Sequence, residues 1–295
     1  MIKTKSVLKL VDRYRVTDGA KFRLEDFPTK DKTGLDMDKA EAIAGLQDGV
    51  TQLAELQATL SAQDRWGVLV IFQAMDAAGK DGTIKHVFSG LNPQGTSVES
   101  FKQPTLLELD HDFLWRHAIH LPQRGRIGIH NRSWYEEVLV LRVHPELLMT
   151  QHIPPELIGK KVFDERLEDI AAFERYLGRQ GIVVLKFYLN MSKEEQRARF
   201  LSRIDEPEKN WKFSAGDVAE RAQWDSYQKA YDKAIRATAT PAAPWYVVPA
   251  DDKRYARLIV VAAMVQALEG LNLRYPKPTQ EQLAALIESR ALLEE

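Results

Sequence analysis

The run WGVLVIFQAMDAAGKDGTIKHVF, residues 66–88, constrains the fold more than any other stretch of this chain. It opens with a continuous apolar run, WGVLVIF, rich in β-branched residues and too short for a buried helix. That pattern predicts a central strand covered on both faces. TIKHVFSGL, with apolar residues at helical spacing, follows. The intervening loop comes close to the phosphate-binding pattern G-x-x-x-x-G-K-[ST]. It departs twice, with Ala74 in place of the first glycine and Asp81 in place of the hydroxyl residue.

The rest of the chain supplies partners for that strand. TSVESF (96–101), RIGIH (126–130), IVVLKFYL (182–189) and WYVVP (245–249) read as strands. Helical spacing is found at 38–62 and at about 83–90, 105–118, 134–141, 166–180, 193–204, 215–238 and 253–271. Strands alternating with helices predict βαβ units, here a five-stranded, mainly parallel sheet in a three-layer α/β domain spanning 38–275. Residues 1–37 are turn-rich and are expected to wrap the surface as an arm. Residues 276–295 carry a helical pattern after two prolines, for packing on the body or on a neighbouring subunit.

Composition excludes several function classes. The chain has 295 residues with formal charge −1, so no global basic field marks it for nucleic acid. It has no cysteine, hence no disulfide framework, thiolate nucleophile or cysteine zinc site. The seven histidines show no metal-ligand spacing. No apolar run approaches the ~18 residues of a membrane span, and the first residues lack a signal-peptide core. The expectation is a soluble cytoplasmic protein.

A loop between strand and helix can direct the backbone N–H groups of Ala77, Ala78 and Gly79, together with the helix dipole, at an anion. Gly79 supplies unusual backbone angles, and Lys80 is a point charge for phosphates. On pattern alone an ordinary strand–turn–helix junction with a solvated Lys80 also fits. Asp76, inside the loop, offers a carboxylate where a bridging metal would sit. Acids flanking a phosphate cradle repel a bare anion, so the phosphate reading calls for a divalent cation.

Further stretches carry a resemblance. MDAAGKDGTIKHVFSGLNPQG (75–95), HDFLWR (111–116), NRSWYEEVLVLRVH (131–144), EEQRARFLSRIDEPEKNWKFSAGD (194–217) and APWYVVPADDKRYARL (243–258) are similar to the polyphosphate kinase type 2 family. The resemblance covers nearly all of 64–270. It implies a P-loop kinase fold of the thymidylate kinase type with a helical lid at about 192–217. It also implies Mg²⁺-dependent phosphoryl transfer between inorganic polyphosphate and nucleotides, with Mn²⁺ as a substitute metal. Asp76 then becomes metal ligand and catalytic anchor, and the two loop departures become family features.

Asn131 and Arg132 end a predicted strand, so they emerge at the carboxyl edge where open α/β sheets bind ligands. Within the resemblance, Arg132 meets the transferring phosphoryl group; by itself it would suit a strand-end ion pair. Asn131 stands where many family members have aspartate, and Glu136, Glu137 or water could complete a second metal position. The NRSWYEEVLV version looks like the class III branch, which phosphorylates AMP as well as ADP. Glu137 fits either a contact to an adenine amino group or a helix-surface acid.

Residues 193–212 carry six basic side chains, Lys193, Arg197, Arg199, Arg203, Lys209 and Lys212, against five acids, Glu194, Glu195, Asp205, Glu206 and Glu208. Arg199 and Arg203 share a helix face. They suit either a solvated, salt-bridged helix or, following the resemblance, a lid closing over phosphates with Asp205-Glu206-Pro207 as hinge. Lys85 is a candidate for the polyphosphate chain. Arg116 suits the acceptor phosphate or a structural ion pair, and Trp211 a lid contact or packing.

The expected activity is transfer of the terminal phosphoryl of polyphosphate to AMP and ADP, with guanine nucleotides as alternative acceptors, in a homo-oligomer. The competing readings are an ATP-dependent nucleotide kinase on the same fold and a non-catalytic P-loop binding module.

Overall fold

The computed structural model describes residues 11–31 and 38–294; the remainder of the expected arm, and Glu295, lie outside the described residues. Strands β1 (Arg15–Val16), β2 (Gly67–Gln73), β3 (Thr96–Ser100), β4 (Ile127–Asn131), β5 (Ile182–Asn190) and β6 (Trp245–Pro249) form one sheet in the order β1-β6-β5-β2-β4-β3. All neighbours pair in parallel except β1 with β6. Among the described residues the sheet therefore has six strands, not five. The extra strand comes from the expected arm, where Val11, Tyr14, Val16, Phe22 and Leu24 are buried. A two-residue strand is too short to leave a period in the sequence.

β2 lies between β4 and β5, and its side chains divide by parity. Val68, Val70 and Phe72 pack with helices α1 (Lys39–Gln63), α2 (Lys80–Phe88) and α10 (Lys253–Glu269); Leu69 and Ile71 pack with α5 (Glu136–Val143), α6 (Val162–Arg179) and α9 (Trp224–Thr238). Both faces are covered, as the unbroken apolar run predicts. Between β2 and α10 the chain also forms the short helices α3 (Leu106–Leu109) and α4 (Trp115–Ala118), the lid helix α7 (Lys193–Asp205) and the short α8 (Ala215–Glu220).

Two expected helices are broken. Over 105–118 there are two single turns, because the Asp112 carboxylate accepts from Leu114 N and competes with helix continuation. Over 215–238 a 3₁₀ turn at Arg221–Gln223 separates α8 from α9. The tail helix α11 (Gln280–Glu294) forms, but none of its residues is buried, so it does not pack on the body.

Candidate active site

The carboxyl ends of β2, β3 and β4 face a cleft of about 860 Å³. The loop after β2 forms its floor. Ala77 and Gly79 adopt positive φ, +65° and +102°, and Gly79 caps α2. Glycine takes that conformation readily, whereas an alanine there is uncommon and held by its surroundings. Arg199 of α7 is what holds it. Its Nη1 donates to the carbonyls of Ala77 (3.1 Å) and Ala78 (2.7 Å), its Nη2 to those of Ala250 (2.6 Å) and Asp251 (3.3 Å), and its Nε to Glu195 (2.7 Å). These contacts engage all three guanidinium nitrogens. Arg199 is thus a buried brace of the loop that also lines the cleft.

Lys80 turns its ammonium back to the Ala74 carbonyl at 3.0 Å. Burial lowers its pKa, with the Arg132 charge adding to the effect, against Asp76, Glu136 and Asp81. Arg132 follows β4 with φ +68°, and its N–H donates to Phe72 O, tying the end of β4 to that of β2. Its guanidinium lies 3.2 Å from Asp76 and 3.4 Å from Glu136. Those carboxylates, Glu136 first, raise its pKa. Asn131 donates from Nδ2 to Asp81 Oδ1 at 2.6 Å, while its own Oδ1 is buried without a hydrogen-bond partner. An orphaned amide oxygen beside Asp81 costs free energy unless something electropositive meets it.

The other wall is the lid region. Arg203 pairs with Asp217 at 3.2 Å and reaches Lys212 O. Lys209 pairs with Glu206 and donates to Ser202, and Lys212 lies over the Trp211 ring. Arg203, Lys209, Trp211 and Lys212 all line the cleft. α7 ends at Asp205 and a 3₁₀ turn begins at Pro207, where the hinge is expected.

Three expected site residues lie elsewhere. Lys85 is exposed on α2 and lines no part of the cleft. Arg116 is buried, donating to Lys102 O at 2.7 Å and lying over the Phe101 ring, with Glu108 at 3.6 Å. Glu137 is buried as well, accepting from Arg166 of α6 (3.0 Å) and from Gln151. Its carboxyl is committed to that ion pair rather than open to a base.

Sequence reasoning missed other cleft residues. Lys102, Asp217, Lys253 and Arg257 line it. Asp217, Lys253 and Arg257 sit in quoted motifs, but their direction depends on tertiary packing. Also missed was a second pocket of about 350 Å³, walled by Leu139, Val140, Leu147, Tyr227 and Tyr231 with polar groups including His144 and Arg221. Asp76 and Arg132 line both cavities. One cavity is cationic and suits a polyanion; the other combines aromatic and aliphatic walls with a few polar groups, as small-molecule sites do. Asp76, Asp81 and Asn131 Oδ1 are hard oxygen donors, and no group of three or more His, Asp or Glu encloses a metal among the described residues. That donor set fits Mg²⁺, which binds through one or two carboxylates plus substrate phosphates.

Comparison with known proteins agrees with this geometry. The family model for polyphosphate kinase 2 matches residues 36–276. An ADP-polyphosphate phosphotransferase of Rhodopseudomonas palustris is 49% identical over 95% of this chain and 97% of its own length. An AMP/ADP-polyphosphate phosphotransferase of Meiothermus ruber is 44% identical over 90% of this chain and 96% of its own. The crystal structure of polyphosphate kinase 2 from Arthrobacter aurescens superposes with a TM-score of 0.84 at 39% identity, covering 92% of this chain and 95% of that one.

Proposed function

This chain belongs to the polyphosphate kinase 2 family, and on that premise we propose how its two cavities divide the work. The enzyme is a polyphosphate:nucleotide phosphotransferase. Polyphosphate lies in the cationic cleft, the nucleoside of AMP or ADP lies in the pocket of Tyr227 and Tyr231, and phosphoryl transfer takes place at Asp76 and Arg132. The observation that carries this reading is that those two residues line both cavities.

An oxygen of the acceptor phosphate attacks the terminal phosphorus of polyphosphate. The bond from that phosphorus to the bridging oxygen breaks, and the chain departs one phosphate shorter. No protein nucleophile is needed; positioning and charge neutralisation lower the barrier. Backbone N–H groups of the loop and Lys80 hold the donor phosphates. The lowered pKa of Lys80 reflects a desolvated site, where a charge–phosphate contact is stronger than in water. Arg132 leaves its pairing with Asp76 to meet the transferring group. Asp76, Asp81 and Asn131 Oδ1 would hold Mg²⁺, which supplies charge neutralisation between donor and acceptor phosphates.

Acceptance of AMP as well as ADP is supported by a relative that carries both acceptors in its name. The test is incubation with AMP, Mg²⁺ and long-chain polyphosphate without ATP, followed by nucleotide chromatography. ADP followed by ATP is expected. Product only when ATP is added would instead indicate an ATP-dependent nucleotide kinase.

A further inference from the structure

The sheet ends at β3, and that edge lacks the usual shields against pairing with another chain. TSVES contains no proline and no lysine, and it pairs with β4 residue for residue, without a bulge. Its one charge, Glu99, is held by His120, whose Nδ1 lies 3.6 Å away. Ser97, Val98 and Ser100 are exposed, Val98 at 48%. Ile119, the neighbour of His120, is 58% exposed.

Backbone direction decides what this edge can accept. Phe101 N–H donates to Asn131 O, so the odd-numbered residues of β3 turn their N–H and C=O groups to β4. Thr96, Val98 and Ser100 turn theirs outward. The Thr96 N–H is taken by Pro93 O in the turn before the strand. Among the described residues, the Thr96 C=O and both outward groups of Val98 and Ser100 have no hydrogen-bond partner.

A second β3, running antiparallel, matches this edge in one register. With a two-fold axis at Val98, that residue faces its own copy, Ser97 faces Glu99, and Thr96 faces Ser100. Each Val98 N–H then meets the other Val98 C=O, and each Ser100 N–H the other Thr96 C=O. The Thr96–Pro93 bond stays intact. Side chains directly opposite share a sheet face. Valine meets valine, a serine hydroxyl meets the Glu99 carboxylate, and no like charges are opposed. An axis at Ser97 or Glu99 would align groups already bonded to β4, and one at Thr96 an N–H already bonded to Pro93. An axis at Ser100 would set Val98 against Lys102, beyond the end of the strand.

From this edge we infer that β3 is a self-association surface, which joins two copies of this chain into one continuous sheet. The axis stands perpendicular to the sheet, so the carboxyl edges of the two copies point in opposite directions. Each cleft then opens away from the other, and each copy carries out its own chemistry.

The test is the mass of the full chain in solution, by sedimentation velocity, for wild type, Val98→Pro and Val98→Lys. Proline at Val98 removes an outward N–H alone, so pairing with β4 is expected to survive. Lysine there places two like charges directly opposite each other across the axis. Wild type is expected as an assembly of paired copies, and each variant at half that mass. Activity per chain should stay within about twofold of wild type, which also shows that the variants fold. A wild-type monomer overturns the inference. So does a wild-type assembly whose mass neither variant changes. Should Val98→Pro lose its fold by circular dichroism, Val98→Lys decides: folded at half mass it supports the pairing, and folded at full mass it overturns it.

Discussion

Arg132 Nη2 lies 3.2 Å from Asp76 Oδ1, joining the residue after β4 to the loop after β2. Each of the two charges offsets the other. Both are about a third exposed, so the pair itself adds little to stability, ~1 kcal/mol or less. Asp76→Asn is therefore expected to keep its melting temperature within a few degrees while losing at least ~100-fold in kcat, or ~2.7 kcal/mol. Activity above about a tenth of wild type in the folded variant would remove Asp76 from the reacting centre.

Arg199 should behave as a brace. Arg199→Ala leaves the Ala77, Ala78, Ala250 and Asp251 carbonyls without their donor, and the expected loss is about 2–4 kcal/mol of stability together with most of the activity. Arg199→Lys should recover only part of both, since an ammonium cannot span two pairs of carbonyls. Thermal melts read this directly. A variant with wild-type melting temperature and low turnover would return Arg199 to the mobile lid.

Asn131→Asp sets a carboxylate where the amide now donates to Asp81. Two like charges at that distance repel, and a divalent cation would bridge them. In EDTA the variant should be less stable than wild type by on the order of 1 kcal/mol, and millimolar Mg²⁺ should restore it. Melting temperatures that ignore Mg²⁺ would separate Asn131 from the metal.

Strand-to-loop-to-helix periodicity made the centre of the sheet legible from residues 66–88 alone, and it carried Asp76, Lys80, Asn131 and Arg132 to one sheet edge. What periodicity omits is direction. Arg199 and Arg203 share a helix face by spacing and both line the cleft, yet Arg199 is buried against the loop carbonyls while Arg203 pairs with Asp217. Glu137 reads as a surface acid or a base contact until Arg166, 29 residues later, packs against it. The aromatic pocket draws on α5, α8 and α9, whose juxtaposition no local pattern encodes.

His130, next to Asn131, is fully buried, and burial holds its pKa down at about 4. Its Nε2 contacts the His120 carbonyl, and Phe101, His117 and Trp134 surround the ring. An unfolded histidine titrates near ~6.5, so between that pH and about 4 the unfolded chain binds the extra proton. Stability is full above the unfolded value and falls as pH drops through this window, by about 2 kcal/mol from pH 7 to 5 for this residue alone. His117, also held neutral by burial, adds in the same direction. Chemical denaturation at the two pH values should show a smaller difference for His130→Phe; an unchanged difference would assign the acid sensitivity elsewhere.

The division of donor and acceptor between two cavities is tested most directly by filling one of them. Val140 lines the aromatic pocket and not the cationic cleft. Apparent KM values for AMP and for polyphosphate, each measured with the other substrate saturating, should diverge in Val140→Trp. The KM for AMP is expected to rise more than ~10-fold, a loss of ~1.4 kcal/mol or more in binding, while that for polyphosphate stays within about twofold. An unchanged KM for AMP, or equal increases for both substrates, would contradict the account.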